Sequence, residues 1–84
     1  MLENLTVYPN PLPSTGSISV KGDDNSAIRF NLFSIDGKLI DTIFTNFNTP
    51  ISLEKYNLNQ GTYIYKIVSN DKIQNGKLIV SAKN

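Results

Sequence analysis

Apolar and polar residues alternate one by one along most of the chain, and no segment repeats its apolar residues with a helical period. Ile18 and Val20 are separated by a serine, and Ile28, Phe30 and Leu32 are separated by polar residues. Because successive side chains of a strand point to opposite faces, this period of two predicts half-buried β-strands. The chain is therefore predicted to be all-β.

The first predicted strand carries Leu5 and Val7 on one face and is stopped by the prolines of segment 9–13. Proline has no N–H for a strand ladder, and it holds the residue before it in an extended conformation. We therefore expect segment 9–13 to be a stiff connection that carries the chain from one sheet to another.

Two glycines are predicted to mark turns. The Asp36-Gly37 pair tolerates the positive φ of a tight hairpin, so the chain should return directly as a strand over 39–44. That strand has apolar residues on both phases, which predicts that both of its faces are covered. Gly61 precedes the β-branched and aromatic strand 63–68, and it is expected to hold a backbone conformation that a β-branched residue cannot adopt.

The last predicted strand changes phase, because Ile73 falls on one phase while Leu78 and Val80 fall on the other. A change of phase within a strand requires a bulge, and Gly76 is its expected position. About seven strands at this close spacing predict a single antiparallel sandwich. The residues on the inward phase are its expected core: Ile18, Val20, Ile28, Phe30, Leu32, Ile51, Leu53, Tyr63 and Ile67.

Length and charge restrict the classes of function. With 84 residues, 39% of them hydrophobic, the chain has room for one domain over 1–84, with the folded sandwich expected over 5–82. The formal net charge of +1 comes from charges scattered along the chain, which argues against nucleic acid as a partner. No apolar run approaches the ~20 residues that span a bilayer, so no membrane span is expected.

The residue types present offer little chemistry. The chain has no His and no Cys, which removes imidazole bases, thiolate nucleophiles and the common zinc sites, so no catalytic residue, metal or cofactor is expected. Asp23, Asp24 and Asn25 could offer oxygens to calcium, but a solvated turn is the favoured interpretation. Tyr8 and Tyr56 are candidates for an exposed contact.

Four short motifs follow one another along nearly the whole chain. The opening motif is Tyr8, Pro9, Asn10 and Pro11; the hairpin motif is Leu32, Phe33, Gly37, Lys38, Leu39 and Ile40; the third is Leu58, Gly61 and Tyr63; and the closing motif is Lys77, Leu78, Ile79 and Val80. In order and spacing they resemble the C-terminal sorting domain, type A, of type IX secretion cargo. Ser34 stands where that family usually has an acidic or amide residue, and Phe33 replaces a frequent Tyr.

The resemblance implies an immunoglobulin-like sandwich at the end of a larger secreted cargo protein. It implies a signal that directs this parent cargo from the periplasm across the outer membrane, to the cell surface or the medium. The implied partners are an outer-membrane translocon, a shuttle protein and a sortase-like protease that removes the domain. We expect the last strand of such a sandwich to have one edge that a partner sheet can extend by backbone hydrogen bonding.

An accessory sandwich that binds carbohydrate or protein is the alternative interpretation. Such a module would use its loops or a Tyr-bearing face, and it would share the predicted fold, because fold alone does not decide function.

Overall fold

The computed structural model describes residues 5–13, 16–70 and 72–81. These residues form eight strands and one short 3-10 helix. The strands are β1 Thr6–Tyr8, β2 Leu12–Pro13, β3 Ser17–Lys21, β4 Ala27–Phe33, β5 Leu39–Asn46, β6 Ile51–Ser52, β7 Gly61–Ser69 and β8 Lys72–Ser81, and the helix is Glu54–Tyr56. None of the described residues belongs to a helix long and apolar enough to cross a membrane.

The strands form two sheets. One has three strands in the order β1-β3-β6, and the other has five in the order β2-β8-β7-β4-β5. All pairings are antiparallel except that of β2 with β8, which is parallel. The predicted all-β sandwich is confirmed. Segment 9–13 does carry the chain from the small sheet into the large one, as its prolines predict.

The core lies between the sheets and is aliphatic around one aromatic pair. Phe30 and Tyr65 stack with ring centroids 5.7 Å apart. Eight of the nine predicted core residues are buried, but the prediction is wrong for Tyr63, which is only half-buried because its hydroxyl reaches out to donate to the Asn59 carbonyl (2.8 Å). Tyr65, two residues later on the same face, is buried instead. Leu78, Val80, Phe47 and Leu58 complete the buried set together with Val7.

Strand β5 does not have both faces covered, and that prediction is wrong. The strand forms an edge of the large sheet, so only its inward residues, Ile40 and Ile43, pack against the core. Its outward residues Leu39 and Phe44 are 51% and 78% exposed. Apolar residues on both phases here reflect an apolar outer surface.

Strand β8 contains no bulge at Gly76, contrary to the sequence prediction. Its register with β7 is unbroken from the pair Gly61 and Val80 to the pair Ser69 and Lys72. The phase change has a simpler cause, since Ile73 faces outward and is 63% exposed. Gly76 instead lies on the inner face beneath the Tyr65 ring, where a Cβ atom would stand 2.4 Å from the ring.

The conformation expected of Gly61 is confirmed, because its φ is +153°. A built Cβ atom would meet no neighbour within 4 Å, so any cost of a side chain at this position arises from the backbone alone. We expect Gly61→Val to lower the free energy of unfolding by about 1–3 kcal/mol through strain at this φ. Urea denaturation measures the change, and an unchanged midpoint would contradict it.

A hydrogen bond fastens the 3-10 helix to strand β5. The Tyr56 hydroxyl donates to the Asp41 carboxylate (2.5 Å), and the Thr42 amide donates to the same side chain (2.7 Å). Both bonds lower the pKa of Asp41, the tyrosine bond more strongly. Burial, followed by the bond to Asp41, raises the pKa of Tyr56 to about 12.

The bond between Tyr56 and Asp41 makes stability depend on pH in a defined sense. A lowered carboxyl pKa gives stability that is present above the ordinary value of 3.8 and lost on acidification. A raised phenol pKa gives stability that is present below the ordinary value of 10.0 and lost as pH rises towards 12. We expect the melting temperature of Tyr56→Phe to fall furthest below that of the wild type between these two values. A difference that is the same at pH 2, 7 and 12 would exclude this origin.

Candidate recognition site

The opening and closing motifs meet at the edge of the large sheet. The Asn10 side chain donates from Nδ2 to the Lys77 carbonyl (2.9 Å), and its Oδ1 accepts from the Ile79 amide (2.9 Å). The side-chain amide thus replaces one peptide unit of a neighbouring strand. Pro9 and Pro11 have no N–H to offer, so the asparagine between them supplies the donor.

Strand β2 continues this pairing directly after the opening motif. Leu12 is the register partner of Val80 and Pro13 that of Ser81. Further back along β8, the Gln74 side chain donates to the Leu5 carbonyl (2.8 Å) and accepts from the Leu5 amide (2.7 Å). The expectation that the edge of the last strand is available to a partner sheet is therefore wrong over residues 77–81, where Asn10 and β2 occupy that edge.

The closing motif sends its side chains to two faces. Leu78 and Val80 are buried in the core, whereas Lys77 and Ile79 face outward, with Ile79 39% exposed. Only Lys77 and Ile79 are therefore accessible to a partner through their side chains.

The third motif pairs directly with the closing motif. Gly61 is opposite Val80 and Tyr63 is opposite Leu78 in the antiparallel ladder of β7 and β8. Tyr63 packs against the core and anchors its hydroxyl on Asn59 in the preceding crossing. Gly61 therefore turns the chain into β7 at the point where β7 begins to pair with the last strand.

The hairpin motif lies at the same end of the sheet. Gly37 has φ of +93°, as the Asp-Gly pair predicts, and the turn is closed by the Ser34 amide donating to the Lys38 carbonyl (2.9 Å). The Ser34 hydroxyl also bonds Asp36, and it accepts from the Lys38 amide (3.2 Å). Serine thus fills the hydrogen-bonding position at which the resembled family usually has an acidic or amide residue.

Strand register relates the closing motif to the hairpin motif. Lys77 is paired with Ile64, Ile64 with Phe33, and Phe33 with Leu39. Lys77 and Leu39 are thus three strands apart in one row, about 14 Å at the usual strand spacing. We call this end of the large sheet, from the Asn10 edge to the hairpin 34–38, the motif end. Sequence reasoning named the motifs but missed their convergence, because pairing between β2 and β8 leaves no local signal.

Other residues considered for chemistry have local structural partners. Asp24 accepts from the Ser26 amide (2.9 Å) and hydroxyl (2.5 Å), and these bonds lower the pKa of its carboxyl. This is the geometry of a turn. A cleft of about 570 Å³ beside it is lined by both acidic and basic side chains, among them Lys21 and Lys72.

The four tyrosines do not form one aromatic face. Tyr65 is buried against Phe30, and the hydroxyls of Tyr56 and Tyr63 are engaged within the domain. Tyr8 is 44% exposed on β1, in the other sheet. This distribution gives no support to a stacking platform for sugar.

Comparison with known proteins decides the family. The family model described as "Secretion system C-terminal sorting domain" matches residues 6–81. The chain belongs to this family. No curated protein sequence matches it. The match runs from β1 to the end of β8, so it includes all four motifs.

Sorting domains of this family are signals carried by the cargo of type IX secretion, and they occur in proteins exported across the outer membrane to the cell surface or the medium. The sorting domain described here thus acts through interaction with the secretion machinery. A signal of this kind suggests a non-catalytic role.

Two hydrogen bonds of the Asn10 side chain join the first motif of the sorting domain to its last. We expect Asn10→Asp to lower the free energy of unfolding by about 1–2 kcal/mol, because a carboxylate cannot donate to the Lys77 carbonyl. Amide exchange at Ile79 should accelerate, because repulsion between the carboxylate and the Lys77 carbonyl moves the side chain away from that N–H. Asn75→Asp makes the same chemical change at an exposed site of β8 and is the control. Equal effects at the two sites would refute a special role for Asn10.

Proposed function

We propose that the secretion machinery recognises the motif end of the folded domain as one surface. The observation that carries the proposal is the pairing of the Asn10 side chain with Lys77 and Ile79, which brings the opening motif onto the closing motif. A partner that contacts this end meets the exposed residues of the opening, hairpin and closing motifs together only when the domain is folded. Recognition would then require the folded domain as well as the motif residues.

Of the motif residues, the outward ones are the proposed points of contact. Lys38, Leu39, Lys77 and Ile79 are exposed at the motif end, as are Pro9 and Pro11. The other motif residues support the structure of the motif end and are not proposed as contacts: Leu78, Val80, Gly61 and Tyr63. The partners proposed to receive it are the outer-membrane translocon and its shuttle protein, after which a sortase-like protease removes the domain. The domain itself performs no catalysis in this proposal.

Export of a reporter tests the proposal. The domain is fused to the C-terminus of a periplasm-exported reporter, in a host that exports its own type IX cargo. We expect the reporter at the cell surface or in the medium. Removing residues 77–84 should abolish export, because the deletion removes two core side chains and half of β8 together with the closing motif.

Lys77→Glu separates recognition from folding in this assay. An exposed lysine contributes little to stability, within about 0.5 kcal/mol at ordinary surface positions. We expect the variant to melt like the wild type and to be exported less. A wild-type fusion that folds but stays in the periplasm would refute the proposal and favour the accessory binding module instead.

A further inference from the structure

The large sheet has an outer face that no described element covers. Register arranges its outward residues in rows across β8, β7, β4 and β5. One row is Ile73, Val68, Arg29 and Phe44; the next is Asn75, Lys66, Asn31 and Thr42; the third is Lys77, Ile64, Phe33 and Leu39. We call these three rows the outer face.

The outer face is apolar at the ends of its first row. Phe44 is 78% exposed and Ile73 is 63% exposed, and these are the two most exposed large hydrophobic residues in the described part of the chain. Leu39 adds a third exposed apolar side chain in the last row. Val68 and Arg29 stand between Ile73 and Phe44 in the first row, so the outer face combines exposed apolar side chains with a basic one.

The same face is basic. Arg29, Lys66 and Lys77 stand in successive rows, and none of the three rows contains an acidic residue. Within residues 5–13, 16–70 and 72–81, no ion pair is formed by any of these three cations. The neighbouring acids are engaged elsewhere, since Asp41 accepts from Tyr56 and Asp36 from Ser34. The charge of the whole chain is nearly balanced, so the outer face is positive because the acidic residues lie elsewhere on the domain.

From this pattern we infer that the outer face binds an acidic protein surface, with carboxylates opposite Arg29 and Lys66 and apolar side chains opposite Phe44 and Ile73. Complementary charge selects such a partner and excludes basic ones, while the apolar contacts supply burial. The inference rests on the proposed function, because the partner is taken to be the component that receives the domain during export.

The polar middle row favours a protein over a lipid bilayer. Thr42 donates to the Asn31 side chain (2.8 Å), and Lys66 and Asn75 lie in line with them. A bilayer would have to cover Lys66 and Asn75 with acyl chains that cannot hydrogen-bond to them, and burying unpaired polar groups is costly. A protein surface can match the row with its own amides and carboxylates.

Charge reversal in the reporter assay tests the inference. Arg29→Glu combined with Lys66→Glu reverses the centre of the outer face, and we expect at least a tenfold loss of export. Lys21→Glu combined with Lys72→Glu is the matched control, since both residues are exposed strand lysines outside the three rows. We expect the control to be exported within twofold of the wild type.

Folding and function are separated by further variants. The melting temperature of each purified fusion is measured, and if the double Glu variant fails to fold, Arg29→Gln with Lys66→Gln replaces it. Arg29→Lys with Lys66→Arg keeps the charge and should retain export. Wild-type export together with unimpaired export of the folded charge variant overturns the inference alone, whereas absence of wild-type export overturns the proposed function.

Photo-crosslinking identifies what covers the outer face. A benzophenone side chain is placed at Phe44 or Ile73, with exposed Ser52 of the other sheet as the control position. We expect both outer-face positions to crosslink to one protein during export, at a segment rich in Asp or Glu. A crosslink to lipid, a crosslink to a segment without carboxylates, or efficient export with no crosslink would each overturn the inference.

Discussion

Leu78→Ala is expected to lower the free energy of unfolding by about 2–5 kcal/mol, the usual range when a buried leucine is truncated. Leu78 is fully buried and lies opposite Tyr63, so its removal leaves a cavity between the last strand and the rest of the core. A domain of this size has a total stability of only a few kcal/mol, about 3–5 for a core this small. The variant should therefore be largely unfolded at the growth temperature and fail in export.

The control for Leu78→Ala is Ile73→Ala on the same strand. Ile73 points to the outer face, and truncating an exposed side chain usually changes stability by less than about 0.5 kcal/mol. Urea denaturation of both variants measures the difference. Equal midpoints would show that the closing motif does not supply the core.

Gly76→Val is expected to lower the free energy of unfolding by about 3 kcal/mol, in the upper part of the range for overpacking. A Cβ atom at position 76 would stand 2.4 Å from Cζ and Oη of Tyr65. The Tyr65 ring is buried and stacked on Phe30, so it cannot swing aside without breaking the core. Valine gains up to about 1 kcal/mol in strand propensity, which is too little to offset the clash.

A double variant tests whether the clash with Tyr65 is the cause. Tyr65→Ala in the Gly76→Val background removes the atoms that the valine meets. The double variant should therefore lose less free energy of unfolding than the two single variants together, by about 1–3 kcal/mol. Asn75→Val is the control, because its side chain faces outward on the same strand. Strict additivity, or an equal loss in Asn75→Val, would contradict the steric explanation.

Sequence alternation predicted the strands well, because the period of two is a direct consequence of one buried and one exposed face. It could not tell an apolar outer surface from a second buried layer. Leu39, Phe44 and Ile73 were therefore misinterpreted, the first two as evidence of a covered strand and the third as evidence of a bulge. The ambiguity is physical, since an apolar outer surface and a core face are built from the same residue types.

The turn residues at the candidate site were predictable from sequence, whereas the geometry of the site was not. Gly37 and Gly61 could be assigned from turn chemistry, which is local. The pairing of Asn10 with Lys77 and Ile79 joins residues from opposite ends of the chain, and no local pattern encodes it. An asparagine between two prolines is the signal in retrospect, because it is the position there that combines a side-chain donor with an acceptor.

The position of β8 between β2 and β7 determines when the motif end can form. A ribosome makes β8 after the other seven strands, and domains fold as units during or after synthesis. Until β8 emerges, β2 lacks its partner and Asn10 has no backbone to pair with. Under the proposed function, a cargo chain cut short by premature termination would therefore lack the surface that the machinery recognises, so only a complete chain would be exported.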